Sequence, residues 1–252
     1  MARQVTSQRR AAIVTGAASG IGAAITSRLA DGGFDVLAVD LRPGEGGAGL
    51  PFAADLSTRE GNRSAVDAAL ENFGRIDVVV PNAGFQHVSP VVDFDEDRWD
   101  ALLAVLLTSP FLLAKYSWPH LVASGQGRFV AIASAHALVA SPFKAGYVSA
   151  KHGVMGLIKT LALEGADVGV SATAVCPSYV RTPLVEKQIQ AHAVAHGLPE
   201  DRVLEDVILA SQPVKRLVEP VEVAELVAFL VGPYGRAMTG VAVPMDQAWT
   251  AR

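Results

Sequence analysis

Tyr147 and Lys151 lie four residues apart in a stretch whose apolar spacing predicts a helix, so both side chains project from one face within mutual reach. A neighbouring ammonium favours phenolate and lowers a phenol's pKa from about 10, which would let Tyr147 exchange a proton near neutral pH. Ser134 ends the preceding predicted strand, where its hydroxyl can hydrogen-bond the same oxygen of a bound molecule. A Tyr/Lys pair at this spacing is also common on solvated helix faces, so a second constellation carries weight. Thr15-Gly16-Ala17-Ala18-Ser19-Gly20-Ile21-Gly22 runs directly out of a β-branched stretch into a helical one. Glycines there let the backbone turn sharply and approach a pyrophosphate, whose charge is favoured at a helix N-terminus. Asp40 ends the second predicted strand, where a carboxylate accepts from adenosine ribose hydroxyls and repels a 2′-phosphate. This pattern selects NAD over NADP, with Arg42 nearby as a counterweight.

These residues need a scaffold, and the chain alternates short β-branched runs with longer amphipathic ones. Strands are predicted at 11–15, 35–40, 76–80, 128–134 and 171–176. Helices are predicted at 21–31, 59–73, 96–123, 147–166 and 221–231, with Asp95 as N-cap of the third. Such alternation implies an α/β fold, a doubly wound parallel sheet whose ligands bind outside the carboxyl ends of the strands. The segment 42–49 is a glycine-dense loop, and 182–216 carries Gly197, Pro199 and Pro213 among short helical pieces, as a mobile cover would.

The 252 residues suit one domain, and half of them are hydrophobic against 18% charged, as a sheet covered on both faces requires. The net charge of −4, with Lys and Arg scattered among acids, excludes a phosphate-backbone face and so argues against nucleic acid. A single cysteine, Cys176, forms no intrachain disulfide, and the expectation is a reducing, cytoplasmic setting. The most apolar run, 104–114, is interrupted by Thr108, Ser109 and Pro110, and the start is polar, so neither a membrane segment nor a signal peptide is expected. No metal site is read.

Together, TGAASGIG from Thr15, NAG at Asn82, Ala83 and Gly84, Ser134 and the Tyr147/Lys151 pair resemble the short-chain dehydrogenase/reductase family over essentially the whole chain. The resemblance implies a Rossmann-type domain with strand order 3-2-1-4-5-6-7, usually as a homotetramer. It implies NAD held by Gly16, Ser19, Gly20, Ile21, Gly22 and Asp40, with Asp55 and Leu56 near adenine and 82–84 beside the ribose. Pro177, Val180 and Thr182 would contact the carboxamide end. Tyr147 becomes the acid/base, Lys151 its tuner and a ribose ligand, and Ser134 the carbonyl polariser.

Four segments sharpen the resemblance toward bacterial D-3-hydroxybutyrate dehydrogenases: NAGFQHVSPV from Asn82, IASAHALVASPFKAGYVSAKHGVMGL from Ile132, TPLVEKQI from Thr182 and AWTAR from Ala248. In that group the residues matching Gln86, His136, Lys144 and Gln188 hold the substrate carboxylate, a task that suits hydrogen bonds and a cation. Trp249 either closes the pocket at the methyl end or anchors a subunit contact. The alternatives are another small hydroxy or keto acid, a neutral alcohol, or a cofactor-binding module that has lost catalysis.

The chain departs from the pattern at Leu106, where the family usually has an asparagine whose main-chain carbonyl holds a water leading to the lysine. Pro110 stands four residues later; lacking an N–H, it leaves the oxygen of Leu106 without its helical donor and can take over the kinking role. Gln247-Ala248 replaces a glycine pair, and Ser178 replaces a glycine. Arg181 replaces an aliphatic residue, a cation that would accommodate a second acidic group.

Overall fold

The computed structural model describes residues 9–44, 46–183, 185, 186, 189, 193 and 199–251. Strand β1 (Ala11–Thr15) is buried along its whole length, since it sits between two neighbours and under helices on both faces. With β2 (Asp35–Asp40), β3 (Leu50–Ala53), β4 (Val78–Val80), β5 (Arg128–Ile132), β6 (Ser171–Pro177) and β7 (Ala242–Met245) it forms one parallel sheet of order β3-β2-β1-β4-β5-β6-β7.

The pleat divides the apolar runs between two cores. Ile13, Val79, Phe129 and Ala131 face a core shared with α2 (Arg59–Phe73), α4 (Ser109–Ala123) and α5 (Ala145–Gly165). Ala12, Val14, Val78, Val80, Val130 and Ile132 face the opposite core, under α1 (Gly20–Asp31) and α7 (Pro220–Val231). Both faces being covered explains why these strands read as continuous apolar runs rather than alternating ones. The two edge strands, β3 and β7, each carry a proline, Pro51 and Pro244, whose missing N–H is tolerated at an edge.

The predicted helix 96–123 is broken. Asp95 does cap it, its carboxylate accepting from Arg98 N at 2.8 Å, but α3 (Glu96–Leu103) passes through a π turn, Ala104–Thr108, before α4 begins. Within that turn Ser109 N reaches back five residues to the carbonyl of Ala104. Pro110 explains the irregularity, because its ring collides with the carbonyl four residues back and a π turn absorbs the misfit. The 28-residue run Glu96–Ala123 contains an 18-residue window with a mean hydropathy of 1.4, long and apolar enough to qualify as a membrane span by composition. In the fold it packs instead against α2, α5, β4 and β5.

The cover segment has a small core of its own: Val185, Ile189, Val203, Ile208, Leu209 and Leu217 are buried together around the short helix α6 (Glu200–Val203). It leaves the sheet through a parallel bridge between Val180 and Val218. Gln188 and Gly197 lie outside the described residues.

Candidate active site

All the carboxyl ends of the central strands open into one cavity of about 310 Å³. Its floor is fixed by a hydroxyl: Thr15 Oγ1, the last side chain of β1, accepts from Asn82 N at 2.9 Å and Ala83 N at 3.0 Å. Asn82 Nδ2 donates in return to Thr15 O at 2.8 Å, so the strand-end segments are tied crosswise. Two glycines have backbone reasons to be there. Gly16 (φ +65°) has Ala83 Cα only 2.8 Å from where a Cβ would stand, and Gly20 (φ +55°) has the Thr182 methyl at 2.9 Å. Both φ values lie in the left-handed region that favours glycine.

Gly16, Ser19, Gly20, Ile21, Asp40 and Asn82 to Gly84 line this cavity, as do Pro177, Val180 and Thr182. Asp40 is held by Ala18 N at 3.1 Å and Arg42 N at 3.0 Å, which leaves its carboxylate anchored at the end of β2. Gly22, Asp55 and Leu56 are not on the wall. A Cβ on Gly22 would sit 2.0 Å from Gly16 O, so that glycine serves the turn itself. Asp55 is taken up by Ser57, accepting from its N at 2.9 Å and its Oγ at 2.7 Å, and these bonds hold its carboxyl below the usual range.

Ser134, Tyr147 and Lys151 meet at the middle of the cavity. Ser134 follows β5 with extended backbone, and its Oγ accepts from His136 N at 3.1 Å. Tyr147 stands in the first turn of α5, near enough to the Ser134 hydroxyl for it to favour the phenolate. Lys151, one turn on, donates from Nζ to Ile132 O at 2.8 Å. The expected lowering of the phenol by Lys151 is not what the structure gives. Burial dominates and raises Tyr147, the Ser134 hydroxyl opposes this, and Tyr179 and Cys176 add to the rise. Burial also pushes Lys151 down to about 8, since a desolvated ammonium is disfavoured.

The same cavity wall carries Gln86, His136, Lys144 and Trp249. His136 is neutral at pH 7, driven down to about 4 by burial and then by the charges of Lys144 and His152. Its Nε2 lies 2.9 Å from Ser141 Oγ and its Nδ1 3.5 Å from Ser134 Oγ. The ring is edge-on to Tyr147 at 5.9 Å and to Trp249 at 5.0 Å. Gln86 Oε1 is buried with no hydrogen-bond partner among the described residues, and an amide can present either end to a ligand. Lys144 has no carboxylate partner among the described residues.

The sequence profile of the short chain dehydrogenase family matches residues 10–193. The chain belongs to the short-chain dehydrogenase family. A D-beta-hydroxybutyrate dehydrogenase of Rhizobium meliloti is 40% identical to it, over 96% of this chain and 99% of the relative. One of Cupriavidus necator is 37% identical over 96% and 98%. Among solved structures, the ligand-free aldohexose dehydrogenase of Thermoplasma acidophilum superposes with a TM-score of 0.91 at 27% identity, over 97% of this chain and 95% of the other.

Dehydrogenases of this family typically use a nicotinamide dinucleotide, and the residues present fit one. The N-cap hydroxyl of Ser19 makes no capping bond to its own helix, so it and the first-turn amides of α1 are available to a pyrophosphate. Two wall residues, Tyr179 and Ser178, and one residue behind the wall, Ser141, escaped the sequence reading. Tyr179 stacks on Trp249, Ser141 holds His136, and Ser178 presents a buried hydroxyl with no partner among the described residues. Only Ser178 left a signal, as a departure from a glycine. Arg181, expected as an extra cation for a second acidic group, is paired with Glu219 at 2.9 Å, which neutralises it at the base of the cover.

Proposed function

We propose that this dehydrogenase uses NAD to oxidise D-3-hydroxybutyrate reversibly to acetoacetate. One observation carries the reading: Lys144, with no carboxylate partner among the described residues, and Gln86, whose buried amide oxygen has no hydrogen-bond partner among them, share a cavity wall with the Ser134/Tyr147/Lys151 group. A small anion offers little apolar area and needs such a grip. The two relatives that bear the hydroxybutyrate name support the same substrate.

Bound NAD supplies the acceptor for the hydride that leaves the carbinol carbon. Tyr147 takes the hydroxyl proton, and Ser134 holds the same oxygen as it becomes a carbonyl. Lys151 holds the cofactor ribose and, by its charge, steadies the phenolate. Behind it, a cavity of about 10 Å³ lies between Leu106, Ser109, Pro110, Ile132 and Lys151. That is near the volume one water requires, and Pro110 gives Leu106 O no helical donor to compete with it. We place the relay water there. Asp40 selects NAD by facing the adenosine ribose, the cover over 182–216 closes on the anion, and the single-domain subunits assemble as a cytoplasmic homotetramer.

Steady-state turnover with both enantiomers of 3-hydroxybutyrate and both nicotinamides tests the whole reading. The D enantiomer with NAD is expected to be preferred by at least about tenfold over each other combination. Preference for NADP removes the Asp40 assignment, and no turnover of either enantiomer removes the substrate.

A further inference from the structure

The Tyr179 ring lies flat against Trp249, with centroids 6.0 Å apart and planes 5° from parallel. Its hydroxyl accepts a hydrogen bond from Lys144 Nζ at 3.2 Å, and the same nitrogen stands 5.3 Å from the ring centroid. The three groups come from distant parts of the chain: the loop before α5, the exit from β6 and the turn after β7. All three line the same cavity.

A phenol oxygen that accepts from an ammonium keeps its own hydrogen for donation. No protein acceptor for that hydrogen is found among the described residues, while the cavity lies beside it. We infer that Tyr179 is a substrate-binding and specificity-determining residue, its hydroxyl donating to the substrate's acid group so that Lys144 and Tyr179 clasp one carboxylate between them. The inference rests on the reading of Lys144 as the anion's cation and extends it. Trp249 acts as a positioning residue: by stacking on the ring it fixes the direction of the hydroxyl, so that the apolar wall and the polar clasp are one assembly. A carboxylate with a short apolar remainder satisfies both halves, and a neutral alcohol satisfies only the wall.

The test is Tyr179→Phe, which keeps the ring and its stack and deletes only the hydroxyl, with Tyr179→Trp as a second variant that also lacks it. With 3-hydroxybutyrate, KM is expected to rise about tenfold or more in both variants, the worth of one hydrogen bond to a charged group. kcat should change by less than a factor of two, and KM for 1,3-butanediol, a hydroxy substrate without the acid, should be unmoved. An unchanged KM for the acid, or equal losses for acid and diol, overturns the clasp. Titration of acetate into the enzyme–NADH complex separates this from the substrate assignment. If 3-hydroxybutyrate is not turned over but acetate binding weakens in both variants, the clasp stands and the substrate reading falls. If acetate binds the wild type and both variants alike, the clasp falls.

Discussion

Lys151 Nζ is hydrogen-bonded to the carbonyl of Ile132 at 2.8 Å and stands 5.6 Å from the centre of the Tyr147 ring. The ammonium is therefore anchored by the end of β5, and it reaches the phenol only through space. This geometry accounts for a phenol that burial keeps protonated and a lysine that burial brings to about 8.

Tyr147→Phe removes the proton acceptor and leaves the packing of α5 intact. kcat in both directions is expected to fall by about three orders of magnitude, with NADH affinity within a few-fold of wild type. Because the acceptor must be deprotonated to oxidise an alcohol, oxidation should climb with pH and ketone reduction should decline. Rate profiles measured in the two directions check the sign; parallel profiles would sink the acid/base role.

Lys144→Ala removes a cation of the cavity wall. KM for 3-hydroxybutyrate should rise by about tenfold to a hundredfold, with a smaller change in kcat, because the contact is made equally in ground and transition states. Unaltered kinetics would argue for a neutral substrate.

His136 has a folded pKa of about 4, against roughly 6.5 in an unfolded chain. The unfolded state therefore binds more protons between these values. The contribution is complete above pH 6.5 and drains away as pH falls toward 4, by on the order of 3 kcal/mol. His136→Gln keeps a donor near Ser141 and does not titrate. Its unfolding midpoint in urea should fall less than the wild type's between pH 7 and 5, and identical slopes would contradict the assignment.

Gln247 and Ala248 stand where a glycine pair was expected, and both hold left-handed backbone, φ +56° and +64°. Ala248→Gly relieves roughly 1–2 kcal/mol of steric cost while adding some unfolded-state freedom. A net gain of about 0.5–1 kcal/mol is expected, readable as a higher denaturant midpoint. A loss would show that the turn carries no strain.

The central strands were legible because burial on both faces makes Ile13, Val79 and Val130 parts of unbroken apolar runs. β3 and β7 were not found as local signals, since four residues with a proline in each look like loop. The broken helix was half legible: Pro110 announced a kink, but composition does not distinguish a π turn from a bend. Tyr147, Lys151 and Ser134 could be picked out because their spacing follows one helix and one strand end. Tyr179 could not, since its significance comes from Trp249, 70 residues away, and from a lysine on another loop. The phenol's raised pKa was also out of reach, because burial is a property of the assembled cavity.

The π turn has a geometric consequence for the residues beside it. One additional residue in a helix advances its phase by about 100°, so α3 and α4 present faces that no single helical wheel describes. Near the end of α3, Leu102 faces Gly146, where a Cβ would lie 2.8 Å from its methyl, immediately before Tyr147. Deleting one residue from 104–108 would regularise the helix, yet it would turn Leu102 off Gly146 and unseat the start of α5. The irregularity works as a vernier, setting the angular position of the acid/base through Leu102, a residue off the cavity wall.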